Sequence, residues 1–237
     1  MKETGLYVQD FWCFLPLGPL RAGLYSISAS ASAGGMMEQR IYLIDHDAAL
    51  RLSVTLLLDT LGWQVESYDN VANFQHNNPS LNTASGCLLL DVRMPGKTGF
   101  MLLEEWRSQV ISLPVILMAG QPSVEQCRRA FKLGVFDFLT KPVDADVLIE
   151  TVGAALIHHR GLCEQYQKKR GLQDRLALLS ARENQVYLLL MEGTPNKAIA
   201  QLLSLSPRTI EIYRANVFDK LAVDSAVRLI KVYGELR

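Results

Sequence analysis

A carboxylate set beside further acids and a lysine can accept a phosphoryl group. The acids hold a divalent cation, the cation and the ammonium neutralise the incoming oxygens, and the aspartate attacks. Such a set stands at the ends of separate apolar runs in this sequence. Asp45, His46 and Asp47 follow Ile41-Tyr42-Leu43-Ile44, and Asp91 closes Cys87-Leu88-Leu89-Leu90. Ala119 follows Val115 to Met118, and Lys141 stands just beyond Phe136 to Leu139. Any one of these acids alone would read as a solvated loop residue, but agreement at four run ends argues for a site. Gly96-Lys97-Thr98 looks like the end of a phosphate-binding P-loop. The leading glycine that motif requires is Asp91, however, so the motif fails, and a nucleotide-hydrolase reading fails with it.

The apolar runs are strand-like and alternate with helical patterns. Leu50, Val54, Leu57, Leu58 and Leu61 repeat at helical spacing before Gly62, and Gln64 to Tyr68 alternates as a further strand. Helices are predicted near 70–76, 99–109, 123–133 and from 144 onward. Strands alternating with helices imply a five-stranded parallel sheet covered on both faces. Ligands in such sheets sit at the carboxyl ends of the strands near the topological switch point, where the polar residues fall.

With 237 residues the chain can hold two modest domains, and 49% hydrophobic with 20% charged residues is a globular balance. A formal net charge of zero means that any reading of DNA binding must rest on local pattern. Cys13, Cys87, Cys127 and Cys163 show no Cys-x-x-Cys pair and no histidines at zinc spacing, which points to reduced thiols in a cytoplasmic protein. Residues 1–38 read as an extension outside the fold, with the working protein starting at Met36 or Met37. The apolar patch Phe11 to Leu20 is too short and too broken to span a bilayer, and no later stretch could.

A first domain is assigned to 39–158 and a helical linker to 159–178, where the charged run Glu164 to Arg170 lies between Gly161 and Gly171 as a solvated helix or hinge. His158 and His159 are adjacent, hence on different helix faces and not a metal pair. In the second domain, 179–237, four short helices are expected. Ser180 to Glu183 forms a capping box, Asn196 caps Lys197 to Leu203, and Ser206-Pro207 opens the third helix. Asp224 or Ser225 starts the fourth, which carries Val227, Leu229 and Ile230. The third helix exposes Arg208, Thr209, Glu211, Ile212, Arg214, Ala215 and Asn216. Arginine can fork to guanine or phosphate, asparagine can pair with adenine, and Thr209 can reach phosphate, so this pair of helices suits the major groove of double-stranded DNA.

Ile41 to Asp47, Leu88-Leu89-Leu90-Asp91-Val92-Arg93-Met94-Pro95-Gly96 with Gly99, and Asp137 to Pro142 closely resemble response-regulator receiver domains of flavodoxin-like fold. The resemblance implies that Asp91 is phosphorylated and that Lys141 contacts the phosphoryl group. It further implies that Asp45, Asp91 and the backbone carbonyl of Arg93 hold Mg2+, that Ala119 and Phe138 stand at the switch positions, and that Lys141-Pro142 is cis. Leu179 to Glu183, Asn196-Lys197-x-Ile199-Ala200 and Ser206 to Glu211 through Lys220-Leu221 resemble the LuxR-type helix-turn-helix, a small all-α four-helix domain. This resemblance adds Lys197 and Lys220 to the DNA-contacting set, and the combination resembles the FixJ-like branch of response regulators. Asp219 stands where that family often has a basic residue.

Two positions depart from the receiver pattern. The second acid after the first strand is His46, a poor partner for magnesium, with Asp47 as a possible substitute. The switch hydroxyl is replaced by Ala119. The function expected is therefore a DNA-binding regulator, not an enzyme, phosphorylated on Asp91 by a sensor histidine kinase, dimeric when active, and activating transcription with RNA polymerase as a further partner. The alternative keeps the DNA binding with a phosphorylation-independent receiver. A metal-dependent enzyme using the acid cluster is a third reading, and it lacks a second general acid.

Overall fold

The computed structural model describes residues 39–78, 84–107 and 113–236. The expected extension, 1–38, and Cys13 within it lie outside these residues. Strands β1 (Arg40–Ile44), β2 (Gln64–Tyr68), β3 (Gly86–Asp91), β4 (Val115–Ala119) and β5 (Asp137–Thr140) form one parallel sheet in the order β2-β1-β3-β4-β5. Helices α1 (Ala48–Asp59), α2 (Val71–Asn77), α3 (Gly99–Trp106) and α4 (Val124–Lys132) connect the strands, and α5 (Ala145–Ala177) follows β5. The chain leaves β1 toward β2 on one side and returns to β3 on the other, so the switch point lies between the ends of β1 and β3.

Strand residues alternate between two cores, as a period of two requires. Tyr42, Ile44, Leu88, Leu90, Val115 and Leu117 meet Phe74 of α2 and Phe100, Leu103 and Trp106 of α3 on one face. Ile41, Leu43, Cys87, Leu89, Ile116 and Met118 meet Val54 and Leu58 of α1 and Leu148, Val152 and Ala155 of α5 on the other. Burial this complete raises the Cys87 thiol to about 12 and leaves it inert. Each of α1 to α5 begins on a polar side chain that accepts backbone N–H bonds: Asp47, Asn70, Thr98, Ser123 and Asp144. These caps move the predicted starts near 70 and 123 one residue inward. The third helix ends at Trp106, short of the predicted 109.

Helix α5 runs unbroken through Gly161 and Gly171 to Ala177, with the charged run exposed, so of the two readings of this segment the helix is observed. His159 is fully buried in it, its Nε2 3.3 Å from Cys163 Sγ, while the His158 ring lies 5.5 Å from that of Phe136. The last turns deliver Leu172 and Leu176 to a third core, formed with α6 (Ala181–Met191), α7 (Asn196–Leu203), α8 (Pro207–Lys220) and α9 (Ala226–Tyr233). Val186, Ile199, Ile210, Val217, Leu221, Leu229 and Tyr233 fill it, and the Tyr233 hydroxyl donates to the Leu221 carbonyl at 2.9 Å. Val227 and Ile230, part of the apolar pattern of the fourth helix, face outward instead. Asn196 is not a cap. Pro195 occupies that position without a side-chain bond, and Asn196 is the first residue of α7.

Candidate phospho-acceptor site and nucleic-acid interface

The carboxyl ends of β1, β3 and β5 converge on one cleft of about 670 Å³, lined by His46, Asp91, Arg93, Thr98, Gly120 and Lys141 among others. Asp91 is buried in its lining, and Asp45, also buried, lies next to Asp91. Lys141 Nζ lies 2.5 Å from Asp45 Oδ2 and 3.1 Å from Asp91 Oδ1, so one ammonium bridges carboxylates from two strands. The Arg93 N–H donates to the same Asp91 Oδ1 at 3.2 Å, and the Asp47 N–H donates to Asp45 Oδ1 at 2.9 Å. The Lys141 backbone N–H donates to the Ala119 carbonyl at 2.7 Å, which ties β5 to the end of β4. The Lys141-Pro142 peptide is cis, as the resemblance implied. Gly99 lets α3 start directly under Asp91, because a Cβ there would sit 2.7 Å from the Asp91 carbonyl oxygen.

The acids after β1 divide their work differently from the sequence expectation. Asp47, offered as a substitute for the missing second acid, caps α1. Its carboxylate accepts from the Leu50 and Ala49 N–H groups, and these bonds hold it below the usual carboxylate range. It does not join the cluster. His46 does, with Nδ1 2.8 Å from Asp91 Oδ2 and 3.7 Å from Asp45 Oδ1. An ionised carboxylate can only accept, so this bond requires a proton on Nδ1. Among the described residues, Asp45, His46 and Asp91 are the one group of His, Cys, Asp and Glu side chains able to converge on a metal. Two of its three donors are the oxygens that magnesium favours and the third is an imidazole.

Phe138 is half-buried against the core under α2 and α3, and its N–H donates to Asp137 Oδ1 at 2.7 Å; burial raises the pKa of that Asp137 carboxyl. Ala119 is buried and carries no hydroxyl toward the cleft.

In the second domain α8 presents Arg208, Glu211, Ile212, Ala215 and Asn216 to solvent, with Thr209 half-buried beside them and Lys197 exposed at the start of α7. The Ser206 Oγ caps α8 and lies 2.7 Å from Thr209 Oγ1. Arg214 is differently engaged: its guanidinium donates to Asn196 Oδ1 at 3.2 Å and covers the Phe218 ring at 5.0 Å, so it sets α8 against α7. Lys220 Nζ lies 2.6 Å from Glu183 Oε2 and 3.2 Å from the Leu178 carbonyl. No signal in the sequence marked the His46–Asp91 contact, the Arg214–Asn196 bond or the Lys220–Glu183 pair.

A carboxylate–lysine cluster at the switch point of a parallel sheet, continued by a helix into a helix-turn-helix, defines a phospho-acceptor domain joined to a DNA-binding domain. Comparison with known proteins agrees. The response regulator receiver domain matches residues 41–153, and the luxR family of bacterial regulatory proteins matches 177–233. Over 192 residues, 81% of this chain and 93% of the relative, the sequence is 38% identical to the transcriptional regulatory protein FixJ of Bradyrhizobium diazoefficiens. Over 219 residues, 92% of each chain, it is 30% identical to the response regulator protein TodT of Pseudomonas putida. The solved structure of the response regulator StyR aligns with a TM-score of 0.77 at 27% identity, covering 84% of this chain and 99% of that one. Full-length FixJ from B. japonicum aligns with a TM-score of 0.52 at 37% identity, covering 84% and 97%. The chain belongs to the two-component response regulators that combine a receiver with a LuxR-type DNA-binding domain, a family of transcriptional regulators and not of enzymes. Among the described residues, no helix is long and apolar enough to cross a membrane.

Proposed function

We propose that Asp91 receives a phosphoryl group from the phosphohistidine of a sensor kinase, and that this modification switches DNA binding by α8. The observation that carries the reading is the bridge from Lys141 Nζ to Asp91 Oδ1 at 3.1 Å in an open cleft. An Asp91 oxygen bonds to phosphorus as the P–N bond of the donor breaks, and the leaving imidazole takes up a proton. Lys141 neutralises charge on the phosphoryl oxygens, and Asp45 holds the lysine in place. A divalent cation held by Asp45, Asp91 and the Arg93 carbonyl, Mg2+ in the family at large, screens the phosphoryl charge when bound. The phosphoryl group adds about −1.5 to −2 charges at neutral pH. The face from α4 through β5 to α5 then pairs two copies, so that two α8 helices read half-sites about one helical turn apart. Contact with RNA polymerase and activation of transcription complete the reading, in the cytoplasm beside the chromosome.

The test incubates the full chain with acetyl phosphate and a divalent cation, and follows intact mass and DNA footprint. A phosphate-sized gain absent in Asp91→Asn, with tighter DNA binding, is expected. No gain with any divalent cation and unchanged DNA binding would refute the switch and leave a regulator governed without phosphorylation.

A further inference from the structure

The donor atoms around Asp91 are shared out unevenly. Lys141 takes Oδ2 of Asp45 and Oδ1 of Asp91. The other oxygen of each carboxylate faces His46, with Nδ1 at 2.8 Å from Asp91 Oδ2 and 3.7 Å from Asp45 Oδ1. One donor atom from each of the three residues lies within 4.8 Å of the others, close enough for a single ion. Asp47 cannot replace the imidazole, because its carboxylate is committed to the start of α1. The backbone that aims His46 is itself pinned. The Asp45 N–H donates to the Tyr68 carbonyl at 3.1 Å, and the Asp45 carbonyl accepts from Arg51 at 2.6 Å. The ring is half-exposed, which leaves the remaining coordination positions open to water and a phosphoryl oxygen.

Magnesium demands oxygen ligands and retains its waters, whereas imidazole suits the first-row transition ions. We propose that His46 Nδ1 is a direct ligand of the cation and makes this receiver favour first-row transition ions, which accept an imidazole nitrogen more readily than Mg2+ does, Mn2+ and Co2+ among them. The inference rests on the reading that a cation sits between Asp45 and Asp91. It departs from an all-oxygen site in which His46 would be a bystander. Coordination would replace the hydrogen bond between Nδ1 and Asp91 Oδ2, with the neutral imidazole carrying its proton on Nε2.

The experiment uses the full chain without an affinity tag, loaded with Mn2+ and examined by pulsed electron paramagnetic resonance. Nitrogen-14 modulation from a coordinated imidazole is expected, lost in His46→Asn and retained in His158→Asn. Competition of Mg2+ against bound Mn2+ is expected to show the preference for Mn2+ falling by about tenfold or more in His46→Asp. Intrinsic tryptophan fluorescence checks that each variant is folded, and intact mass with acetyl phosphate is read in parallel. Bound Mn2+ without nitrogen modulation, or a preference unchanged in His46→Asp, overturns the inference; phosphorylation of Asp91 in the same samples would leave the phospho-acceptor reading standing. Absence of both cation binding and mass gain overturns the inference and that reading together.

Discussion

Replacing Glu183 by glutamine isolates one charge that ties the start of the second domain to the end of α8. The carboxylate is buried at the head of α6, where Oε2 accepts from the Ser180 N–H at 2.8 Å and from Lys220 Nζ at 2.6 Å. Lys220, first among the causes, and Ser180 hold the Glu183 carboxyl down to about 2 from an ordinary 4.5. Glutamine keeps the shape and one acceptor but loses the charge. A charge-assisted bond whose lysine head is about a third in water contributes about 1 kcal/mol, and weakening of the capping box adds up to about 1 kcal/mol. The expected loss of about 1–2 kcal/mol corresponds to roughly 5- to 30-fold faster exchange of protected α6 amides.

The pH dependence supplies a second readout. A carboxyl whose folded pKa is depressed stabilises fully above its ordinary value and loses that contribution as pH falls from about 4.5 through about 2. Wild type and Glu183→Gln should therefore differ at pH 6 and converge near pH 2. Hydrogen exchange read by mass spectrometry, with chemical exchange rates corrected for pH, follows α6 separately from the receiver. A gap that persists undiminished to pH 2, or a Lys220→Met chain as protected as wild type, would show that the pair does not stabilise the domain.

Two further outcomes follow from the geometry. Gly99→Ala places a methyl group 2.7 Å from the Asp91 carbonyl oxygen, so α3 or the end of β3 must shift; a loss of about 1–3 kcal/mol is expected in denaturant titrations followed by fluorescence, with buried Trp106 reporting on α3. Arg208→Ala removes an exposed cation at the start of α8 and should weaken DNA binding, lowering the salt slope of log K by about 1 if Arg208 meets a phosphate; unchanged affinity and slope would take Arg208 out of the interface.

Much of this architecture is local chemistry and is legible in the sequence alone. Continuous apolar runs define β1, β3 and β4, because buried parallel strands must be apolar on both faces. Polar side chains just ahead of helical patterns, Ser180 and Ser206 among them, mark helix starts because an oxygen there satisfies free backbone N–H groups. Asp45, Asp91 and Lys141 were placed together by the same logic, since each follows a strand that ends at one edge of the sheet. Asn196 misled for an equally physical reason. Pro195 already turns the chain into α7, and the asparagine side chain is drawn to Arg214, 18 residues away.

What only the folded chain decided is which way neighbouring side chains point and which distant groups they meet. His46 and Asp47 are adjacent, yet one turns onto Asp91, 45 residues away, and the other folds back onto its own helix. Lys141 reaches Asp45 across 96 residues, and Lys220 reaches Glu183 across 37. Spacing along a chain specifies periodicity and caps, because those depend on dihedrals and bonds within a few residues. The direction of a side chain beyond a strand end depends on backbone anchored by other strands, so the imidazole beside Asp91 and the pairing of Lys220 with Glu183 became visible only once the sheet and the helices had closed.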